Sequence, residues 1–200
     1  GGIRTTSAFT GLFKGGFTSD QRGQFYTAGQ KEDIDDQTQF TNGWAINKYR
    51  NVKKDGSAGQ SLDFSDIDLP LFRLAEQYLI YAEAVVRGGT GGSNTTALEY
   101  LNKLRYRGFG GGYGPSAVGQ LFPSDLTLKT ILDERARELY WEGFRRTDLI
   151  RYGMFTTSDY LWPWKGGVKG GTAVQSYRNL YPIPSKEIVG NPNLKQNTGY

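Results

Sequence analysis

The stretch from Asp133 to Gly153 constrains this chain more than any other. It packs five acidic and five arginine side chains around a strip of apolar and aromatic residues. At 3.6 residues per turn, Glu134, Glu138 and Glu142 fall on one line, with Arg145 and Arg146 a turn beyond. Asp133, Glu134, Glu138, Glu142 and Asp148 stand against Arg135, Arg137, Arg145, Arg146 and Arg151, so the charges cancel within the segment. Such balance predicts an internal ion-pair lattice that fixes one helix against another. It does not suggest a face offered to a charged ligand.

Periodicity places the other elements. Leu71, Leu74, Ala75, Tyr78, Leu79, Ala82, Val85 and Val86 recur at i, i+3, i+4, i+7. They predict a helix that begins at Asp68 and Pro70 and ends at Gly88-Gly89. A second helix follows Asn94-Thr95-Thr96, with Thr96 and Glu99 as a capping box and Ala97, Leu98, Leu101 and Leu104 as its apolar face. The two read as a helical hairpin with packed inner faces. A third helix runs from Ser124 or Thr127 to Trp141, burying Ile131, Leu132, Ala136, Leu139 and Tyr140, and a shorter one spans 145–152 after the break at Gly143. Residues 1–66 lack helical periodicity and read as an arm with two or three short strands, among them 24–27 and 44–46, that must lie on something else. Residues 154–200 are loop-rich, with a short helix capped by Ser185. The expected fold class is mainly α with long loops. Its single domain comprises an arm (1–66), a helical core (67–153) and a C-terminal segment (154–200).

Composition removes whole classes of chemistry. With no histidine and no cysteine, no Ser-His-Asp or Cys-His nucleophile, histidine-ligated zinc, disulfide or iron–sulfur site can be built. No cofactor or metal is expected. A net charge of +4 with scattered lysines and locally matched arginines argues against nucleic acid as a partner. Gly110-Gly-Gly-Tyr-Gly114 lacks a following Lys-Ser/Thr and a preceding strand, so it is no phosphate loop. A glycosidase pair fares no better. Glu76 and Glu83 lie about 10 Å apart along a helix, beyond the roughly 5–9.5 Å that the two mechanisms use. Glu134, Glu138 and Glu142 each have arginines within a turn, which lowers a carboxyl pKa and spoils a general acid. The reading is therefore a non-enzyme. No run of about 18 apolar residues and no signal peptide are present, and the start at Gly1-Gly2-Ile3 without Met reads as a fragment or a processed product.

Four segments carry a family resemblance. Residues 71–84, Leu-Phe-Arg-Leu-Ala-Glu-Gln-Tyr-Leu-Ile-Tyr-Ala-Glu-Ala, resemble the RLAE-x-YL-x-x-AEA helix of the SusD/RagB family. Residues 132–151, Leu-Asp-Glu-Arg-Ala-Arg-Glu-Leu through Trp-Glu-Gly-Phe-Arg-Arg-Thr-Asp-Leu-Ile-Arg, are similar to its ERxxEL-x-x-EGxRxxDLIR signature. Tyr181-Pro-Ile-Pro-Ser185 with 191–200 resembles its PIP…NPxLxQNxGY ending. Asp20-x-Arg22 and Gly43-Trp44 with Lys48-Tyr49 fit upstream. The resemblance implies the C-terminal portion of a lipid-anchored glycan-binding protein on the bacterial cell surface. Such a protein caps a SusC-like, TonB-dependent outer-membrane transporter, has tetratricopeptide-like helix pairs, and uses no cofactor. The anchoring cysteine would lie outside this chain, and with it the only link to the membrane.

Within that frame the motif charges read as architecture. Arg73, Glu76, Glu83 and the Glu134–Arg151 cluster (Glu134, Arg135, Glu138, Glu142, Arg145, Arg146, Asp148, Arg151) form the expected ion-pair network. Sugar contact needs aromatic rings plus polar groups. Tyr160, Trp162 and Trp164 would point one way from an extended stretch stiffened by Pro163, unless they cover the third helix. Tyr113 and Phe109 are further exposed-aromatic candidates. Two functions follow: glycan capture by aromatic stacking, or an interaction scaffold for the transporter with the sugar site elsewhere in the longer protein.

Overall fold

The computed structural model describes residues 3–61, 63–113 and 117–200. Gly114, the last residue of the glycine run, lies outside the described residues. The backbone forms two compact units, Gly1–Phe144 and Arg145–Tyr200. The chain is mainly helical, as expected. The first unit holds α1 (Ser7–Thr10), β1 (Phe25–Tyr26), β2 (Ala45–Ile46), α2 (Leu74–Val86), α3 (Asn94–Gly108) and α4 (Leu128–Leu139); the second holds α5 (Arg145–Arg151) and α6 (Ser185–Gly190).

The core of the first unit is where the 3.6-residue pattern put it. Ala75, Leu79 and Ala82 of α2 meet Ala97, Leu101 and Leu104 of α3 and Ile131 and Leu139 of α4. Leu79, Leu101 and Ile131 are completely buried, each contributing about 1.5–3 kcal/mol by leaving water. Several helix ends differ from expectation, among them that of α4, which stops at Leu139 and not Trp141 because Tyr140 is extended (φ −60°, ψ 148°). α2 starts at Leu74, because Arg73 is extended (φ −131°, ψ 145°) and its guanidinium is engaged with Glu138 and Glu142; Leu71 lies outside the helix and is exposed. α3 is capped by Ser93, not Thr96: the Ser93 Oγ accepts from the Thr96 N–H at 3.1 Å. The Ser93 N–H donates to the Tyr81 hydroxyl at 3.0 Å, tying the cap to α2. α2 closes as predicted, with Gly88 left-handed (φ +89°) and the Gly89 N–H donating back to the Ala84 carbonyl at 2.8 Å. Thr127 caps α4 through the Thr130 N–H at 3.1 Å.

The arm is laid on α4, and its sequence explains how. β1 and β2 pair antiparallel, Phe25 opposite Ile46. A two-residue ladder cannot stand alone, and the arm is instead anchored by rings and cations. Phe9, Phe13 and Phe25 gather on Tyr140 at centroid distances of 5.0, 6.3 and 6.5 Å, while the Tyr140 hydroxyl donates to the Arg22 carbonyl at 2.6 Å.

The second unit is loop-rich and closed by its own C-terminal motif. The Gln196 side chain reads both backbone groups of Ile183: Oε1 accepts from its N–H and Nε2 donates to its carbonyl, each at 2.8 Å. Asn197 Nδ2 donates to the Tyr181 carbonyl at 2.7 Å, and the Tyr200 hydroxyl to the Leu180 carbonyl at 2.8 Å. The Pro-Ile-Pro and Gln-Asn-x-Gly-Tyr motifs are thus two halves of one clasp. From α5, Arg146 stacks over Tyr181 at 3.9 Å and donates to the Arg178 carbonyl at 2.7 Å.

Candidate functional site

The carboxylate line of α4 is the best-organised polar feature, and its partners are not those a local count suggests. Glu134, wholly buried, accepts from Arg22 Nη1 at 2.7 Å, Arg105 Nε at 2.9 Å and Arg137 Nη1 at 3.1 Å. Burial alone would raise its pKa, but these three guanidiniums outweigh that and hold it at about 2. Glu138 accepts from Arg22, Arg73 and Arg107. Glu142 accepts from Arg73 and from Lys48. The Lys48 ammonium also donates to the carbonyls of Glu138 (3.0 Å) and Tyr140 (2.9 Å), which finishes the C-terminus of α4. Asp20 orients Arg22 through Nε (2.9 Å) and Nη2 (2.6 Å).

Two expectations need correction here. The lattice does not balance within its own segment. Among the described residues it joins six cations (Arg22, Lys48, Arg73, Arg105, Arg107, Arg137) to four carboxylates (Asp20, Glu134, Glu138, Glu142). The excess is tolerated because Arg107 is 56% exposed and because Lys48 and Arg73 border an open cleft of about 600 Å³, where solvent screens them. Other charges of the segment make contacts of their own. Asp133 pairs with Lys129. Arg135 lies 5.9 Å from the Phe144 ring. Asp148 pairs with Arg151 inside α5, Arg145 donates to the Tyr160 hydroxyl at 2.9 Å, and Arg146 serves the aromatic stack. Glu83 pairs with Arg87 one turn on, and Glu76 has no ion pair among the described residues. A signal for Arg105 was present: positions 101, 104, 105 and 108 share one face, so it is a charge on the core side of α3. Arg22 and Lys48 lay in quoted motif segments, but nothing local showed what they would reach.

The second correction concerns Phe109, which is buried and packs on Phe17 at 6.1 Å, so it is not an exposed ring. Tyr113 meets Tyr106 edge-on at 5.4 Å, and the pair borders a groove of about 430 Å³ along α3 with Glu99, Asn102 and Lys103.

The Tyr160–Trp164 segment is not a flat platform. Trp164 is left-handed (φ +69°) and opens a tight turn at Lys165–Gly167, so the alternation of an extended strand stops there. Trp162 packs near-parallel to Phe155 (6.1 Å, 28°) with Tyr160 tilted beside it at 5.9 Å. Lys165 is buried. Its ammonium donates to the carbonyls of Thr157 (2.6 Å), Tyr160 (2.7 Å) and, more loosely, Met154 (3.4 Å), and stands 4.6 Å from the Trp162 ring. Three acceptors suit a protonated amine, which has three donors and no acceptor. Around this pin lies a cleft of about 510 Å³, walled by Phe155 and Trp162, floored by Lys165 and Gly166, and rimmed by Gln175 and Arg178. Trp162 and Phe155 present the apolar surface, Gln175 and Arg178 the polar one: an arrangement that can hold a ring with hydroxyl groups. Trp164 and Tyr160 are half-buried outside its lining.

Comparisons with known proteins agree with the motifs. The starch-binding protein SusD of Bacteroides thetaiotaomicron is 45% identical over 161 residues, 80% of this chain and 27% of that protein. A SusD-like protein of Formosa agariphila is 30% identical over 159 residues, 78% of this chain and 28% of that one. The chain therefore spans just over a quarter of the length of these curated relatives. Among solved structures, a SusD superfamily protein from Bacteroides vulgatus superposes with a TM-score of 0.53 at 28% identity, over 78% of this chain and 32% of that one. One from Parabacteroides distasonis reaches 0.60 at 23% identity, over 98% of this chain and 42% of that one, a likeness of fold. With the profile described as the SusD family matching residues 5–200, the chain belongs to the SusD family.

Proposed function

We propose that this chain is part of a cell-surface protein that captures glycans for nutrient uptake without chemically altering them. The observation that carries the reading is the family match over nearly the whole chain, with a relative named for binding starch. The Phe155–Trp162 cleft supports it locally. Aromatic faces accept the C–H faces of pyranose rings while amide and guanidinium groups reach hydroxyls; Trp162 is the primary ligand candidate in this cleft, with Tyr160, Trp164 and Tyr113 secondary. Binding without turnover fits the lattice, since cations hold the pKa of Glu134 at about 2 and that of Glu142 below the usual carboxylate range, which suits neither to act as a general acid. In this reading the longer protein is lipid-anchored at the outer membrane and works as the lid partner of a TonB-dependent transporter.

A second reading, an interaction scaffold, is favoured by one observation. Leu69, Leu71, Phe72 and Leu74 form an exposed apolar run before and into α2, the kind of surface that other protein covers. Affinity gel electrophoresis against soluble starch, xylan, mannan, acidic polysaccharides and mucin glycans tests the first reading. Retardation by any of them that is lost in Trp162→Ala supports capture by this cleft. Retardation by none, from a folded chain, refutes sugar binding by these 200 residues and leaves the scaffold.

A further inference from the structure

Charge is distributed unevenly between the two units. Residues 145–200 contain eight lysines and arginines against three acids, a net +5, whereas the whole chain carries +4. The first unit is thus slightly acidic, and the second holds all of the excess. Two of these cations, Lys165 and Arg178, line the aromatic cleft. No carboxylate lines it. Lys165 forms part of its floor as an ammonium satisfied by carbonyls, so its hydrogen bonds are complete but its charge is not cancelled by a lining acid. Asp159 is the acid nearest in effect, and burial still pushes the Lys165 pKa down. At the rim, Arg178 is exposed and has no ion pair among the described residues. Its guanidinium lies 5.6 Å from the Tyr177 ring.

A wall of rings, a charged floor that cannot itself be capped, and a free guanidinium at the mouth together define a chemical class. We propose that the cleft binds an acidic saccharide, with its anionic substituent paired to Arg178 and the sugar ring against the Phe155–Trp162 wall. A guanidinium matches the planar pair of oxygens of a carboxylate, and also two oxygens of a sulfate, in a forked contact. Uronate and sulfate esters therefore share the required chemistry. Neutral glucans offer nothing to Arg178 beyond hydroxyl acceptors. This inference rests on the glycan-binding reading and names its substrate class.

The test is affinity electrophoresis and calorimetry of the full chain with polygalacturonate, a sulfated galactan, and neutral starch and mannan, at about 50 and 300 mM salt. The expected result is retardation by an acidic polymer, weakened about tenfold in Arg178→Gln, only partly restored in Arg178→Lys, which keeps the charge but loses the fork, and reduced by the higher salt. Polygalacturonate alone would identify the uronate, the galactan alone the sulfate. Lys186→Gln removes an equal charge on α6 outside the cleft and is expected to leave affinity within about twofold. Equal loss in Lys186→Gln and Arg178→Gln would mean diffuse charge attraction and overturn the proposal. Binding of neutral polymers only would overturn it while keeping glycan capture; binding of nothing would overturn both.

Discussion

Replacing Glu134 by Gln removes one charge and almost no volume from a site that no solvent reaches. Three arginines then face a neutral amide. Arg105 and Arg137 have side chains only 4% and 7% exposed and Arg22 11%, so water cannot supply the lost compensation. Breaking one side of a buried ion pair costs about 3–5 kcal/mol. Protonation gives a figure of the same order: a carboxyl held at about 2 in the fold against an ordinary 4.5 contributes about 3 kcal/mol. The two agree in size. The sign follows from the depressed pKa. The folded state prefers the charged form, so the stabilisation is complete above about pH 4.5 and is lost as pH falls towards 2. Urea denaturation followed by circular dichroism is expected to show Glu134→Gln destabilised by about 3–5 kcal/mol at pH 7, with the difference from the parent shrinking steadily below pH 4.5. In a cysteine-free chain the measurement has no redox complication. The exposed pair Lys129–Asp133 on the same helix is the internal control, and Asp133→Asn is expected to cost no more than about 1 kcal/mol. A loss below about 1 kcal/mol for Glu134→Gln, or a difference that does not change with pH, would refute the lattice as the source of stability.

Lys48→Met leaves two carbonyls at the end of α4 and Glu142 without their shared donor, and is expected to cost about 2–3 kcal/mol and to speed proteolytic cleavage in 1–66 ahead of any other segment. Ser93→Ala is expected to destabilise by about 1 kcal/mol and Thr96→Ala by clearly less; the reverse order in thermal melts would restore Thr96 as the cap. Gly143→Ala meets no atom within 4 Å but sits at φ +83°, so its cost is conformational alone, about 1–2 kcal/mol, measurable by the same melts. Lys165→Met strands carbonyls of Thr157 and Tyr160 and should accelerate amide exchange across 154–175 while leaving α2–α4 protected; uniform exchange throughout would show that Lys165 does not pin this loop.

What the sequence by itself determined is local. The apolar period placed α2, α3 and α4, the short helix α5 followed the break at Gly143, and the motif spacings identified the family, because helix periodicity acts over a few residues; α6 formed in the expected place, but Ser185 is its first residue and not its side-chain cap. Only the tertiary structure decided the pairings. Glu134 meets Arg22 across 112 positions and Arg105 across 29, and Coulomb energy depends on distance in space, so a count of neighbouring charges could not show which cations these carboxylates meet. The same holds for the rings. Phe109 reads as a loop aromatic until Phe17, brought from the arm, covers it, and the Trp162 cleft exists only because a left-handed Trp164 turns the chain back around Lys165. Burial is a property of what another segment does, which is why the helices were legible in one dimension and the cleft was not.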